Sequence, residues 1–257
     1  MSAIFRWVFC LLCAALALEL FFVARIAAMI VIDPQSTTFQ RSEAWLVATR
    51  ASGKDARGAE PPGLADWKQR WVPYAELPDS LKRAVIASED SEFIYHQGVE
   101  WEAIERARQR NAKAEQLAAR RAQQMRARGR EPRAPELRGG STITQQLAKN
   151  LLLSGERTLL RKGQELVLAT ALEVLLDKRR ILEIYLNSVE WGEGVFGAEA
   201  AARHYFKKPA SRLSANEAAR LAVMLPSPKL FEHRPGSAYL ASRAATIAAR
   251  MPAAELP

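Results

Sequence analysis

Cysteine is scarce in this sequence. The 257 residues hold two, Cys10 and Cys13, and both sit in an N-terminal apolar run. Everything beyond that run therefore has no disulfide and no thiol nucleophile. Stretches that alternate like strands are few, which excludes a fold built mainly on sheets. No internal repeat is visible. No GxxxxG turn leads into a lysine, which excludes a nucleotide-binding loop of that kind. No side chains carry the spacing of a dedicated metal site. Glycine and proline are modest at 13 residues each.

What is present points to helices. Hydrophobic residues make up 49% of the chain, enough for one substantial core. Alanine, leucine, arginine and glutamate are frequent, a composition that favours helix. The formal net charge is +9. A solvated basic surface accounts for that charge, and so does a partner made of anionic lipid, phosphate or nucleic acid.

The N-terminus narrows the choice. WVFCLLCAALALELFFVA (Trp7 to Ala24) and IAAMIVI (Ile26 to Ile32) are interrupted only by Glu19 and Arg25. That is long enough for a spanning helix, which needs roughly 20 mainly apolar residues. A cleaved signal peptide is the alternative, but its apolar core is shorter and ends in a small-x-small site that is not evident here. Arg6 and the amino terminus precede the span, so the positive-inside tendency puts the N-terminus in the cytoplasm and the rest outside. An exported basic domain is a poor nucleic-acid binder. Residues 1–32 are read as the anchor and 33–70 as a stalk, with 71–257 as the catalytic domain. Trp67, Trp71 and Tyr74 are either packed or form an interfacial aromatic belt.

Helices are expected after Pro78, with Asp79 or Ser80 as the cap, and from Trp101 to Arg110 with room to run on. Another runs from Gly139-Gly140 onward, then one from Gly163 to Asn187, and the last from Ser214 to Leu225. The arginine-rich stretch at about 108–138 has almost no large apolar residues and cannot build a core, though its composition permits a helix. It is either an inert spacer or a cationic surface for anionic headgroups or incoming pyrophosphates.

Three clusters carry chemistry. In EDSEFIYHQG (Glu89 to Gly98), Glu89 falls beside the apolar face made by Leu81, Ala84, Val85 and Ser88, and Asp90 points away. A carboxylate held against apolar surface has a raised pKa and can act as acid or base. In GGSTITQQLAKN (Gly139 to Asn150), Ser141 can cap a helix on which Gln145 and Lys149 share a face. Arg157, Arg161 and Lys162 follow, and such cations suit a pyrophosphate. In the third cluster Glu165 lies on one stripe with Leu168, Ala169 and Leu172, where a carboxylate is costly unless paired or catalytic. Glu173 reads as structural, paired with Arg161 or Arg180.

These segments resemble the signature motifs of the family 51 glycosyltransferases, the peptidoglycan polymerases. EDSEFIYHQG is similar to the first motif and GGSTITQQLAKN to the second. RKGQELVLATALE is similar to the third, KRRILEIYLN to the fourth and GVFGAEAAARHYFKK to the fifth. They occur in order between Trp71 and Pro228. The chain leaves no room for a transpeptidase domain, so it resembles the monofunctional members. The stretch between the first two motifs is longer and more basic than usual.

The resemblance implies a lysozyme-like, mainly α, two-lobed domain with a small membrane-associated jaw behind one transmembrane helix. It implies lipid II as acceptor and the lipid-linked strand as donor, joined β-1,4 with inversion and release of undecaprenyl diphosphate. Glu89 matches the catalytic base and Glu165 the second catalytic glutamate. Lys149 and Arg157 match phosphate-holding residues, with Ser141, Gln145, Arg161 and Lys162 expected beside them on the substrate. No cofactor is required, while Mg or Mn at the donor pyrophosphate is allowed. Cell-wall synthesis and division proteins are the expected protein partners, with the domain in the periplasm at the inner membrane. Two carboxylates also suit a lytic muramidase, and an anchored non-catalytic scaffold is the other rival. The phosphate-suited cations argue against the first and the intact motifs against the second.

Overall fold

The computed structural model describes residues 3–49, 63, 67–127, 131, 140–153, 155–156 and 158–257. The fold is mainly helical, as the composition leads one to expect. In chain order it contains α1 (Ala3–Ala28), α2 (Thr38–Thr49), β1 (Lys68–Gln69), α3 (Asp79–Glu89), α4 (Trp101–Ala127), α5 (Ile143–Leu152), α6 (Leu159–Leu175) and α7 (Lys178–Ser188). Then follow β2 (Glu190–Gly192), β3 (Val195–Phe196), α8 (Ala198–Phe206), α9 (Ala215–Met224), α10 (Pro228–Glu232) and α11 (Ala238–Arg250).

Helix α1 is long and apolar enough to cross a membrane. Its 26 residues at 1.5 Å each reach about 39 Å, more than a hydrocarbon core of about 30 Å. Phe9, Leu11, Leu12 and Leu16 are exposed, and only Phe22 and Ile26 are buried within the helix. The lower end packs on α6. Just beyond it Arg180 donates to the Met29 carbonyl at 2.8 Å and pairs with Asp33 at 2.7 Å. The apolar helix thus leaves the domain from a fixed point.

Part of the segment expected to be a stalk belongs to the domain. Helix α2 packs on α5, and Thr38 Oγ1 donates to the Leu151 carbonyl at 2.9 Å. Strand β1 pairs in parallel with β3, which pairs antiparallel with β2 across a register shift. Trp67 stacks on Phe196 at 4.5 Å between centroids. Trp71 lies under the Arg180 guanidinium and donates to Glu183. These aromatics are packing residues. Sequence periodicity could not reveal two-residue strands held by distant partners.

The core has two lines of contact. Helices α3, α9 and α11 pack together, with Leu81, Val85, Leu221, Leu240 and Ile247 buried. Helix α5 sits against α6 and α7, burying Ile143, Leu147, Leu151, Leu168 and Ile184. Burying such side chains contributes roughly 1.5–3 kcal/mol each. The expected single helix from Gly163 to Asn187 is two helices. Asp177 breaks it, accepting from the Arg180 amide at 2.7 Å as the cap of α7. Helix α9 begins as read, on a Ser214–Glu217 capping box.

Helix α4 runs well past Arg110. Among its described side chains only Ala107 is buried. Most of 128–139 lies outside the described residues. Gly140 approaches α4 so closely that a Cβ would meet the Ala103 carbonyl oxygen at 3.1 Å, which is why glycine suits this position.

Candidate active site

The end of α3 and the start of α5 meet at Asp90. The helix stops at Glu89, and Asp90 leaves the helical course with φ −162°. The helical projection that sent Asp90 outward therefore fails. Asp90 is buried, and its carboxylate accepts from the Ile143 amide at 2.9 Å and from His96 Nε2 at 2.9 and 3.0 Å. A carboxylate at a helix N-terminus is favoured by the unpaired amides there. The Gly98 amide donates to His96 Nδ1 at 3.1 Å. Nδ1 is thus the acceptor nitrogen, which leaves Nε2–H to face Asp90. Thr142 Oγ1 donates to the Gly98 carbonyl at 2.6 Å. The first motif is in this way clamped to the second.

Glu89 is half-buried on the wall of a cavity of about 360 Å³. Its Oε2 accepts from Gln146 Nε2 at 3.1 Å and its Oε1 from Ser88 Oγ at 3.3 Å. The carboxylate keeps an opening to solvent, yet protein surrounds most of it. Burial raises its pKa above the ordinary value; the Gln146 and Ser88 hydrogen bonds oppose this, Asp90 adds to it, and Arg243 opposes it. Tyr185 is fully buried and donates to Gln146 Oε1 at 3.0 Å. That bond orients the carboxamide so that its NH2 faces Glu89.

A second cavity, of about 610 Å³, is lined by Ser141, Gln146, Lys149, Arg161, Lys162 and Glu165 among others. Glu165 is buried, on the same stripe as Leu168, Ala169 and Leu172, as read from the sequence. Its carboxylate accepts from Arg161 Nη1 at 2.9 Å and pairs with Lys162. Lys162 also donates to Ser141 Oγ at 3.1 Å. Ser141 lines both cavities, and Gln146 lines the second while bonding to the glutamate of the first. The two glutamates therefore sit in adjoining chambers that share a wall.

The structure brings Ser141, Lys149, Arg161, Lys162 and Glu165 to one cavity and Glu89 to its neighbour. Two expected roles change. Thr142, not Ser141, caps α5, in a capping box with Gln145. Gln145 is fully buried by that box and lines neither cavity. Gln146 occupies the place expected of it. Both i, i+4 and i, i+3 spacings put a glutamine beside Lys149, and only burial separates them. Arg157 lies outside the described residues. Glu173 is tied to Lys178 at 2.7 Å and to Thr144 at 2.6 Å, rather than to Arg161 or Arg180. No cluster of three or more His, Cys, Asp or Glu side chains suited to a metal occurs among the described residues.

A helical domain with a carboxylate in each of two adjoining chambers, both lined by cations, has the form of a sugar-transferring enzyme acting on an anionic substrate. The transglycosylase family profile matches residues 61–252, and the chain belongs to that family. It is 53% identical over 244 residues to a biosynthetic peptidoglycan transglycosylase of Burkholderia thailandensis, covering 95% of this chain and 84% of the relative. It is 48% identical over 256 residues to one of the same description from Paraburkholderia xenovorans, covering 98% and 94%.

Proposed function

We propose that this protein is an anchored peptidoglycan glycosyltransferase that polymerises lipid II, with Glu89 as the base and the Glu165 chamber holding the departing diphosphate. The observation that carries the reading is the shared wall. Ser141 and Gln146 join a carboxylate of raised pKa to a chamber carrying Lys149, Arg161 and Lys162. Glu89 takes the proton from the acceptor 4-hydroxyl. That oxygen forms a bond to the donor anomeric carbon from the face opposite the leaving group. The carbon–phosphate oxygen bond breaks, and the electron pair leaves on the diphosphate. The cations stabilise the charge that develops there, with Arg157 placed by the sequence alone as a further one. Glu165 holds Arg161 and Lys162 in position. A hydrolase of finished glycan has no use for that cationic chamber.

Helix α1 anchors the enzyme in the cytoplasmic membrane, with Arg6 on the inner side and the catalytic domain in the periplasm. Exposed Leu159, Leu160, Val167 and Val174 lie on α6 beside it, which supports a jaw against the bilayer.

The test is incubation of the full-length protein with lipid II, with and without added Mg or Mn. The expected product is a glycan polymer that a muramidase degrades. Recovery of unreacted lipid II, or of free disaccharide, overturns the reading.

A further inference from the structure

Helix α4 carries an uncovered cationic face. Beyond Ala107 none of its described side chains is buried. At about 100° per residue, Lys113, Leu117, Arg120, Arg121 and Gln124 fall within an arc of about 100°. All five are exposed. Between Arg106 and Ala127 the helix has one acid, Glu115, and the same periodicity puts it on the opposite side.

A solvated helix gains from pairing a cation with an acid three or four positions away. This protein does so elsewhere: Arg106 pairs with Glu102, Arg161 with Glu165 and Arg203 with Glu199. The positions three and four away from Lys113, Arg120 and Arg121 hold no acid, and Lys113 has Arg110 there instead. Like charges so aligned repel one another. Leu117, 54% exposed, sits among them. A cationic face with an apolar residue at its centre suits anionic headgroups lying over acyl chains. A wholly polar polyanion would match the charges and leave Leu117 in water.

The bilayer is the anionic surface within reach. Helix α1 is long and apolar enough to cross it, and the chain just past its end is fixed to the domain by Arg180. Helix α6 packs on α1 and exposes Leu159 and Leu160 where it begins. Near that start Lys162 donates to Ser141 Oγ at 3.1 Å. The adjacent Gly140 packs against Ala103 and Ala107 of α4. The base of α4 is thereby tied to the part of the domain that carries the exposed leucines.

We propose that the face of α4 made by Lys113, Leu117, Arg120 and Arg121 docks on anionic phospholipid headgroups of the bilayer that α1 crosses. Leu117 enters the interface, and the cations lie among the phosphates. Docking also holds in place Arg106 and Arg110, which line the Glu89 cavity from the same helix.

The test places the full-length protein in nanodiscs of phosphatidylcholine alone, with added phosphatidylglycerol, or with added lipid II. Amide hydrogen exchange across residues 111–127 is measured in each. Exchange is expected to slow by about tenfold with phosphatidylglycerol, as several cations near an anionic surface act together. The protection should fade as salt rises. It should also vanish in the triple variant Lys113→Gln, Arg120→Gln, Arg121→Gln, in which glutamine keeps the helix propensity. Should that variant lose the helix, the salt series on the unaltered protein carries the test. Equal exchange with and without phosphatidylglycerol overturns the docking, as does protection that survives salt or substitution. Protection by lipid II and not by phosphatidylglycerol also overturns it, and assigns the face to substrate. The measurement needs no turnover, so its outcome is independent of the function proposed above.

Discussion

Gln146 Nε2 donates to Glu89 Oε2 at 3.1 Å, from the first turns of α5 to the last residue of α3. The bond joins the first and second sequence motifs at the atoms proposed to react. Because Tyr185 fixes the other end of the carboxamide, the contact is preorganised before substrate arrives. It also stabilises the ionised carboxylate, so that burial and Gln146 act on Glu89 in opposite directions.

Glu89 must be ionised to take a proton, and its pKa is raised. Activity is therefore expected to fall with decreasing pH through a limb above the ordinary carboxylate value of about 4.3. Glu89→Gln keeps the size and removes the basic oxygen. It should lower polymerisation by roughly 10²–10⁴-fold with little change in melting temperature. The check is the rate of lipid II polymerisation against pH, for the parent and the variant. An acid limb at or below the ordinary range removes Glu89 from this role.

Glu165→Gln leaves Arg161 and Lys162 facing each other without their shared anion. Glu165 is buried, but the cations keep some solvent, so the loss is expected at roughly 1–3 kcal/mol of stability. Turnover should fall as well, because the two cations lose their position. Denaturant unfolding and a polymerisation assay together test this. Full turnover in the variant moves Glu165 to a purely structural role.

The stripe of Glu165 was legible because α6 keeps a 3.6-residue period from Glu165 to Leu172. So was the α9 cap, since Ser214 and Glu217 stand at capping-box spacing. Asp90 was not legible. It follows the last helical residue, where a wheel projection no longer applies, and its partner Ile143 is 53 positions away. Choosing between Gln145 and Gln146 required knowing which face of α5 meets α6 and α7. Helix α2 and Trp67 read as a stalk because their partners, Leu151 and Phe196, are far along the chain. Local pattern reports periodicity, and tertiary contact decides which periodic face is buried.

The distal part of α4 should be dispensable for stability. Beyond Ala107 no described side chain of the helix is buried, and its arginines contribute little as solvated charges. Replacing 112–138 with a short glycine-serine linker keeps Ala103, Ile104 and Ala107 against Gly140. The expected change is within about 0.5 kcal/mol, the usual range for surface alterations. Thermal unfolding of the shortened protein tests it. A drop of several degrees reveals packing that the exposure of this helix does not suggest.

Glu190 offers a test of electrostatics away from the reacting groups. It lies on β2 with its carboxylate buried, 3.5 Å from Lys229, which also pairs with Glu43 at 2.5 Å. Burial pushes its pKa up to about 7; Lys229 opposes this, and Glu43 adds to it. The unfolded chain loses that proton near the ordinary value of 4.5. Between about 4.5 and about 7 the folded state therefore holds a proton that the unfolded state has released. Stability must fall as pH rises through that window, and the cost is complete above it. The size is roughly 3 kcal/mol, at about 1.4 kcal/mol for each pH unit. Glu190→Gln removes the charge and keeps the shape, and Lys229 retains Glu43. The variant should gain stability relative to the parent at pH 8 and match it near pH 4.5. Other raised carboxylates, Glu89 among them, slope in the same sense in both proteins and cancel in the difference. Denaturant midpoints of parent and variant at the two pH values measure that difference directly. An equal difference at both shows that Glu190 does not titrate in this window.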